Sequence, residues 1–265
     1  MKLNLVPART GILWVKLGIQ TFFRRPLALA GLFLMFIAAM SIASLVPLLG
    51  NLLVLMLVPA ATLGLMAATR EASEGHMPMP TLLVTAFRAG RQRLNAMLVL
   101  GALYAGGFLL VLGLSALVDG GSLARLFLVG DNFTRETVTS PDFQLAARVC
   151  SILGLPLSLL FWHAPALVHW HGVPPVKSLF FSAVACLRNF WAYTVFSLAW
   201  GVVFMAVGLV MAVVAGLLRD PMAVPAIAAP VGLALAAMLF TSFYFTFRDS
   251  FQTDAQTEHQ ADAPA

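Results

Sequence analysis

The sequence predicts an all-α integral membrane protein with about six transmembrane helices. These form three hairpin units, each preceded by a basic interfacial amphipathic helix. Of the 265 residues, 60% are hydrophobic and 10% are charged, and the mean hydropathy is +0.92. Soluble domains carry about 25% charged residues, and a helix crosses a bilayer in about 20 apolar residues. A basic run followed by a long apolar stretch occurs three times, which indicates the three units.

The predicted spans are apolar stretches separated by short polar or proline-marked segments. They cover residues 27–49, 52–69, 94–118, 149–168, 190–218 and 222–247. We expect one membrane domain over residues 1–249, with an outer loop at 119–147 and a disordered, acidic cytoplasmic tail at 250–265. The basic helices are predicted at the N-terminus up to Pro26, at 81–93 and at 176–189.

Helical wheels predict which faces of the basic helices meet apolar surroundings. In the first helix, one face gathers Ile12, Val15, Ile19, Phe22 and Phe23, a pattern typical of helices lying among lipid head groups. In the third helix, the predicted polar face comprises Lys177, Ser178, Ser182, Arg188 and Asn189. An alternative for the first region is a twin-arginine export signal at Arg24-Arg25, but its apolar run exceeds a signal core and another span follows at once.

The distribution of positive charge predicts the orientation of the chain. With the N-terminus inside, 12 of the 16 Lys and Arg residues fall in cytoplasmic segments. The outer segments hold Arg125, Arg135, Arg148 and Arg219. This asymmetry follows the positive-inside rule, so we expect both termini in the cytoplasm.

The three units align weakly as an internal repeat, at about residues 7–70, 77–171 and 174–249. Each unit has an amphipathic run that leads through arginine into a span, and each second span contains a proline: Pro59, Pro165 and Pro230. Small residues at four-residue spacing are expected to allow close helix packing. They occur in three spans, at 60, 64 and 68, at 208, 212 and 216, and at 228, 232 and 236.

The candidate functional residues are basic side chains that flank the spans. We expect them to contact anionic lipid head groups and to set topology. They are Lys16, Arg24, Arg25, Arg88, Arg91, Arg93, Lys177 and Arg188. The expected partners are therefore membrane lipids, with a membrane-protein partner or a homo-oligomer also open. Basic and aromatic residues are not interleaved, so we expect no nucleic-acid partner.

Three of the five histidines, His163, His169 and His171, fall within nine residues. A metal site is one interpretation, but no Cys or carboxylate is close in sequence and structural sites need three or four converging ligands. Interfacial histidines beside Trp162 and Trp170 are the favoured interpretation. We therefore predict no metal and no cofactor.

The sequence offers little sign of catalysis or of ion coupling. It contains no phosphate-binding glycine loop, no HExxH and no GxSxG motif. The predicted spans contain no Asp, Glu, Lys or Arg, the residues that ion-coupled transporters place inside the membrane. Cys150 and Cys186 are expected to be packing residues.

The opening LVPARTGILW and the junction FFRRP resemble a family of uncharacterised bacterial inner-membrane proteins with about six spans. The resemblance covers essentially the whole chain and implies no reaction and no functional residues. More loosely, the helix-plus-hairpin units are similar to membrane domains fused to glycerophosphodiester phosphodiesterases, whose catalytic domain this chain lacks.

These observations favour a non-catalytic inner-membrane protein that acts through lipids or partner proteins in the envelope. A transporter or permease component for an uncharged or amphiphilic solute is the alternative. A lipid-acting membrane enzyme is the second alternative.

Overall fold

A computed structural model describes residues 2–46, 49–130, 134–218 and 223–252. Its six long apolar helices confirm the predicted all-α, six-span fold class. The helices are α1 (Thr10–Arg24), α2 (Pro26–Ser44), α3 (Gly50–Ser73), α4 (Thr85–Arg88), α5 (Arg91–Asp119), α6 (Ser122–Val129), α7 (Arg135–Thr139), α8 (Pro141–Phe161), α9 (Ala164–His171), α10 (Pro175–Arg188), α11 (Phe190–Leu218) and α12 (Ala223–Ser250). Two short strands, β1 (Lys2–Leu3) and β2 (Phe251–Gln252), pair antiparallel.

The second predicted basic helix, at 81–93, is divided in the structure. A 3₁₀ turn at Pro80–Val84 leads into the single turn of α4, and α5 begins at Arg91. Gly90 separates the two helices with a φ of +89°, a conformation that glycine adopts without steric cost. Arg91 and Arg93 therefore belong to the first turn of a span, and the prediction of one continuous interfacial helix was wrong.

The segment predicted as an outer loop is largely helical. It contains α6, α7 and the start of α8, which begins at Pro141 with the Ser140 hydroxyl accepting a hydrogen bond from the Phe143 N–H. The fourth span is then interrupted between α8 and α9. Pro165 has no N–H to donate to Phe161, and its ring excludes that carbonyl, so the helix breaks there. Arg219 and the tail beyond 252 lie outside the described residues.

The chain forms two compact units. The first unit comprises residues 1–35, 64–83 and 185–265, and the second comprises 36–63 and 84–184. The threefold repeat remains a prediction.

In the first unit, α1 is a core helix packed against α11 and α12. Its buried face consists of Gly11, Trp14, Val15, Gly18, Thr21 and Phe22. Trp14 has no exposed surface, whereas Ile12 and Phe23, which were placed on the apolar face, are 58% and 64% exposed. The predicted apolar face is therefore divided: Val15 and Phe22 pack against protein, whereas Ile12 and Phe23 face outward. An outward-facing apolar side chain needs no protein cover in a membrane.

The third predicted basic helix, α10 with Asn189 after it, buries small polar residues and exposes large apolar ones. Ser178, Ser182 and Asn189 are buried, whereas the large apolar Phe180 and Leu187 are exposed. Small polar residues allow close approach between helices in a membrane, and bulky apolar residues can face lipid. The prediction of an exposed polar face was correct only for Lys177 and Arg188.

The second unit is organised by the packing of α5 along α8, with α6 and α9 against them. Tyr104 on α5 meets Phe161 on α8 edge to face, with ring centroids 5.0 Å apart. Gly101 lies against the backbone of Met56 on α3, where a side chain would not fit. Leu123, Phe143 and Ala146 form a small buried cluster between α6 and α8.

Close approach through small residues is found at only some of the predicted positions. A Cβ added to Gly64 would lie 2.7 Å from the Cα of Leu83. Gly208, Gly216 and Gly232 have no such neighbour within 4 Å among the described residues. Close packing in the first unit instead uses Gly11 and Gly18 on α1, which were not in the predicted set.

Gly18→Ala tests the packing of α1 on α12. The added Cβ would lie 2.6 Å from the Cβ and 2.9 Å from the Cα of Ser242, so one helix must shift. We expect a loss of roughly 1–3 kcal/mol, the usual cost of overpacking, measured as a lower apparent Tm in detergent. Gly201→Ala on α11 is the matched control because its Cβ meets nothing within 4 Å. Equal Tm values for the two variants would contradict this account of α1.

A candidate head-group site at the ends of three helices

The first unit contains a polar cavity of about 320 Å³. It lies where the C-terminal half of α1 meets the ends of α3 and α12. Its lining combines two cations, one carboxylate, four uncharged polar side chains and two apolar ones. These residues are Arg24, Arg248, Glu74, Gln20, Thr21, Ser73, Tyr244, Leu17 and Phe245.

Helical periodicity brings the α1 residues to the cavity. Leu17, Gln20, Thr21 and Arg24 are spaced three and four residues apart, so their side chains form one stripe along the helix. Thr21 is 3% exposed, which fixes the stripe against the protein. Arg24, in the last turn, is exposed at the end of this stripe.

The second arginine, Arg248, is held in place by neighbours on α12. Its Nε lies 2.8 Å from Oδ1 of Asp249. Its guanidinium carbon lies 4.9 Å from the centre of the Phe245 ring, within the range of a cation–π contact. Because both contacts restrict the side chain, less conformational entropy is lost when Arg248 binds a ligand.

Asp249 also connects α12 to α1. Its Oδ2 accepts a hydrogen bond from the indole Nε1 of Trp14 at 2.9 Å. Its backbone oxygen accepts another from the Asn4 side chain at 3.0 Å. One carboxylate thus orients Arg248 and fixes α1, which carries Arg24.

Asn189 also anchors the N-terminal segment of the first unit. Its Oδ1 accepts from the Val6 N–H at 2.9 Å, and its Nδ2 donates to the Asn4 oxygen at 3.0 Å. Asn189 is 2% exposed. The buried amide therefore has partners on both atoms, which offsets the cost of burying it.

The carboxylate of Glu74 is already part of an ion-pair group. Its Oε1 lies 3.1 Å from Nε of Arg70, and His76 Nδ1 lies 3.3 Å from Glu71 and 3.9 Å from Glu74. Ligand atoms of Glu71, Glu74 and His76 lie within 4.8 Å of one another, close enough for a metal ion. Both Glu74 and His76 are exposed, and surface groups of this kind commonly pair among themselves.

The cavity is located at the ends of candidate spans. Arg24 lies two residues before α2 begins, Ser73 is the last residue of α3, and Arg248 lies two residues before the end of α12. The ends of spans lie at the level of the head groups. Next to Arg24, Phe23 and Leu27 are 64% and 89% exposed, so apolar surface adjoins the polar cavity.

The eight predicted basic residues are all exposed, as head-group contact requires. The first unit holds Lys16, Arg24, Arg25 and Arg188, and the second unit holds Arg88, Arg91, Arg93 and Lys177. Of these, Arg24 alone is among the residues lining the described cavity.

Sequence analysis missed Arg248, Glu74, Tyr244, Trp14 and Asp249. The signal in the sequence was the charged pair Arg248-Asp249 at the end of the last span. Its link to α1 depends on a contact between residues 235 positions apart, which the sequence does not reveal.

The three clustered histidines do not converge on a metal. His163 is fully buried, and its backbone N–H donates to Ser182, whose hydroxyl donates to the Leu159 oxygen. His169 is 8% exposed with its ring near Trp170. Among the described residues, the grouping that meets metal-ligand spacing contains none of these three.

Cys186 on α10 is 2% exposed. Burial raises the pKa of its thiol to about 12, a hydrogen bond with Tyr193 acting in the opposite direction. Because the thiolate is the nucleophilic form, this cysteine stays protonated and unreactive at neutral pH. The expected packing role agrees with this burial.

Comparison with known proteins identifies a relative that matches nearly the whole chain. Over 254 residues, which cover 95% of this chain and 94% of the relative, the chain is 39% identical to a probable inner membrane protein of Burkholderia thailandensis. No protein-family profile matches the chain. No solved structure matches it.

Proposed function

Because this chain belongs to the family of the probable inner membrane protein of Burkholderia thailandensis, we propose that it acts without catalysis, by binding phospholipid head groups in the bacterial inner membrane. The cavity that places Arg24 and Arg248 among hydrogen-bonding side chains at the ends of three helices carries this proposal. Arginine binds phosphate through paired N–H donors, and lipid phosphates lie at this level of a bilayer.

The eight exposed basic residues support the same function over a wider surface. Each Lys or Arg near an anionic membrane surface contributes about 1 kcal/mol of attraction. Arg91 and Arg93 lie in the first turn of α5, Arg88 ends α4, and Lys177 and Arg188 lie near the two ends of α10. We expect these positions at the ends of helices to bring the charges to the membrane boundary while the spans stay apolar.

We further propose that both termini are cytoplasmic. The N- and C-terminal segments are joined through β1 and β2, so they share one side of the membrane in the proposed arrangement. The positive charge of α1, with Lys16, Arg24 and Arg25, supports the cytoplasmic side.

Reporter fusions test this orientation. Green fluorescent protein fused to the C-terminus should fluoresce, and alkaline phosphatase fused there should be inactive, because the latter needs the oxidising periplasm to form its disulfides. A fusion of alkaline phosphatase after Gly130 should be active. The opposite pattern would refute the orientation.

A triple variant tests the contribution of the second unit to lipid binding. In Arg88→Gln/Arg91→Gln/Arg93→Gln, three exposed charges are lost. We expect enrichment of phosphatidylglycerol over phosphatidylcholine around the protein to fall by about threefold or more, since each charge contributes near the surface. Tryptophan quenching by brominated forms of the two lipids measures this enrichment.

The matched control removes three exposed arginines from the segment proposed to lie outside. In Arg125→Gln/Arg135→Gln/Arg148→Gln the change in net charge is the same. Both triple variants are compared in asymmetric vesicles that contain phosphatidylglycerol only in the leaflet corresponding to the cytoplasmic side. The control variant should retain its phosphatidylglycerol enrichment there. If the first triple variant also retains it, the proposed function is wrong.

A further inference from the structure

We propose that the cavity between α1, α3 and α12 binds the head group of a phospholipid that carries both a phosphate and a primary ammonium group, as phosphatidylethanolamine does. This inference rests on the proposed function and names the lipid class for one site. Its basis is the presence of both signs of charge in one lining: Arg24 and Arg248 as cations and Glu74 as the carboxylate.

The phosphate half is assigned to the side of the cavity formed by α1 and α12. Arg24 extends from the last turn of α1, and no ion pair involves it among the described residues. Arg248 uses its Nε–H on Asp249, and a guanidinium has five N–H donors in all. Gln20, Thr21 and Tyr244 add uncharged donors to the same lining. Two arginines with neutral donors suit the oxygens of a phosphodiester.

The ammonium half is assigned to Glu74 and Ser73 at the end of α3. Arg70 contacts Oε1 of Glu74 at 3.1 Å, but a carboxylate has about four lone-pair sites. Glu74 can therefore accept further hydrogen bonds from an ammonium group while keeping Arg70. Ser73 offers a hydroxyl oxygen beside it.

The mixed charge of the lining discriminates between lipids. A head group with only negative charge, such as that of phosphatidylglycerol, leaves the Glu74 charge without a counter-ion from the ligand. Phosphatidylcholine has a positive charge, but its quaternary ammonium has no N–H to donate to Glu74 or Ser73. Only a primary amine satisfies both requirements.

The surroundings of the cavity favour a lipid over a free phosphorylated amine. Phe23 and Leu27 flank Arg24 in sequence, and both are largely exposed. Since the span α2 begins at Pro26, these side chains adjoin the apolar part of the bilayer, where acyl chains can lie against them. A soluble ligand has no chains to make this contact.

Native mass spectrometry of the delipidated full-length protein tests the inference. Phosphatidylethanolamine, phosphatidylglycerol and phosphatidylcholine with identical acyl chains are supplied in equal amounts. In the species with a single lipid bound, which reports the tightest site, we expect the first lipid about tenfold more often than either of the others, because only its head group can donate hydrogen bonds to Glu74 while its phosphate meets the arginines. Equal retention of the three lipids, or preference for phosphatidylglycerol, would overturn the inference.

Variants of the lining assign the two halves of the head group. Arg24→Gln should weaken retention of both phosphatidylethanolamine and phosphatidylglycerol by about tenfold. Glu74→Gln should remove the preference between these two lipids. Arg125→Gln, which lies outside the first unit, should change neither. For the second arginine, Arg248→Lys is used because it keeps a cation beside Asp249 and so preserves the fold. This variant should weaken lipid retention less than Arg24→Gln does. A Glu74→Gln protein with its preference intact would overturn the ammonium assignment.

Soluble phosphoethanolamine separates the head group from the chains. It should displace the lipid only at far higher concentration than short-chain phosphatidylethanolamine does. Equal potency would overturn the lipid identity. This inference can fail while the proposed function stands. If the cavity shows no preference among the three lipids, but the Arg88, Arg91 and Arg93 triple variant still loses phosphatidylglycerol enrichment, only this inference is rejected.

Discussion

The hydrogen bond from the Trp14 indole to the Asp249 carboxylate, 2.9 Å long, is the contact on which the first unit depends. Trp14 is fully buried, and its ring packs near Tyr193 and Phe196 of α11, with centroids 5.2 and 6.1 Å away. An indole N–H buried in this way requires an acceptor, because an unsatisfied donor costs about 1–3 kcal/mol. Asp249 supplies it, and this pairing fixes the position of α1 along α12. A helix too basic and too short to be a span thereby becomes part of the core.

The same contact explains how a polar cavity exists at the end of apolar helices. Asp249 contacts Trp14 with one oxygen and Arg248 with the other, so the carboxylate links the position of α1 to the orientation of an arginine. Gly18 lets α1 lie directly on Ser242, which places Thr21 and Arg24 one and two turns further along, at the cavity. The proposed binding site therefore follows from the packing, which arranges its charges before a ligand arrives.

The spans could be predicted from the sequence because a bilayer imposes a length of about 20 apolar residues, a requirement that each helix meets by itself. Helix faces could not, since in a membrane the exposed side is apolar: Phe23 and Phe180 face outward, whereas Ser178, Ser182 and Asn189 are buried. The break at Gly90 required a backbone angle that composition does not specify. Arg24 could be proposed for head groups by its position before a span. Arg248 and Glu74 could not be joined to it, because their proximity depends on contacts between distant parts of the chain.

Hydrogen–deuterium exchange of the α1 amides in lipid nanodiscs tests most directly the claim that α1 is a fixed core helix. A helix lying loosely among head groups opens easily, whereas a helix packed between two others exchanges only with larger unfolding. We expect amides around Trp14 and Gly18 to exchange as slowly as those of α11 next to Tyr193, and Trp14→Phe to accelerate the exchange of α1. Fast exchange of α1 in the unaltered protein, with α11 protected, would contradict the account.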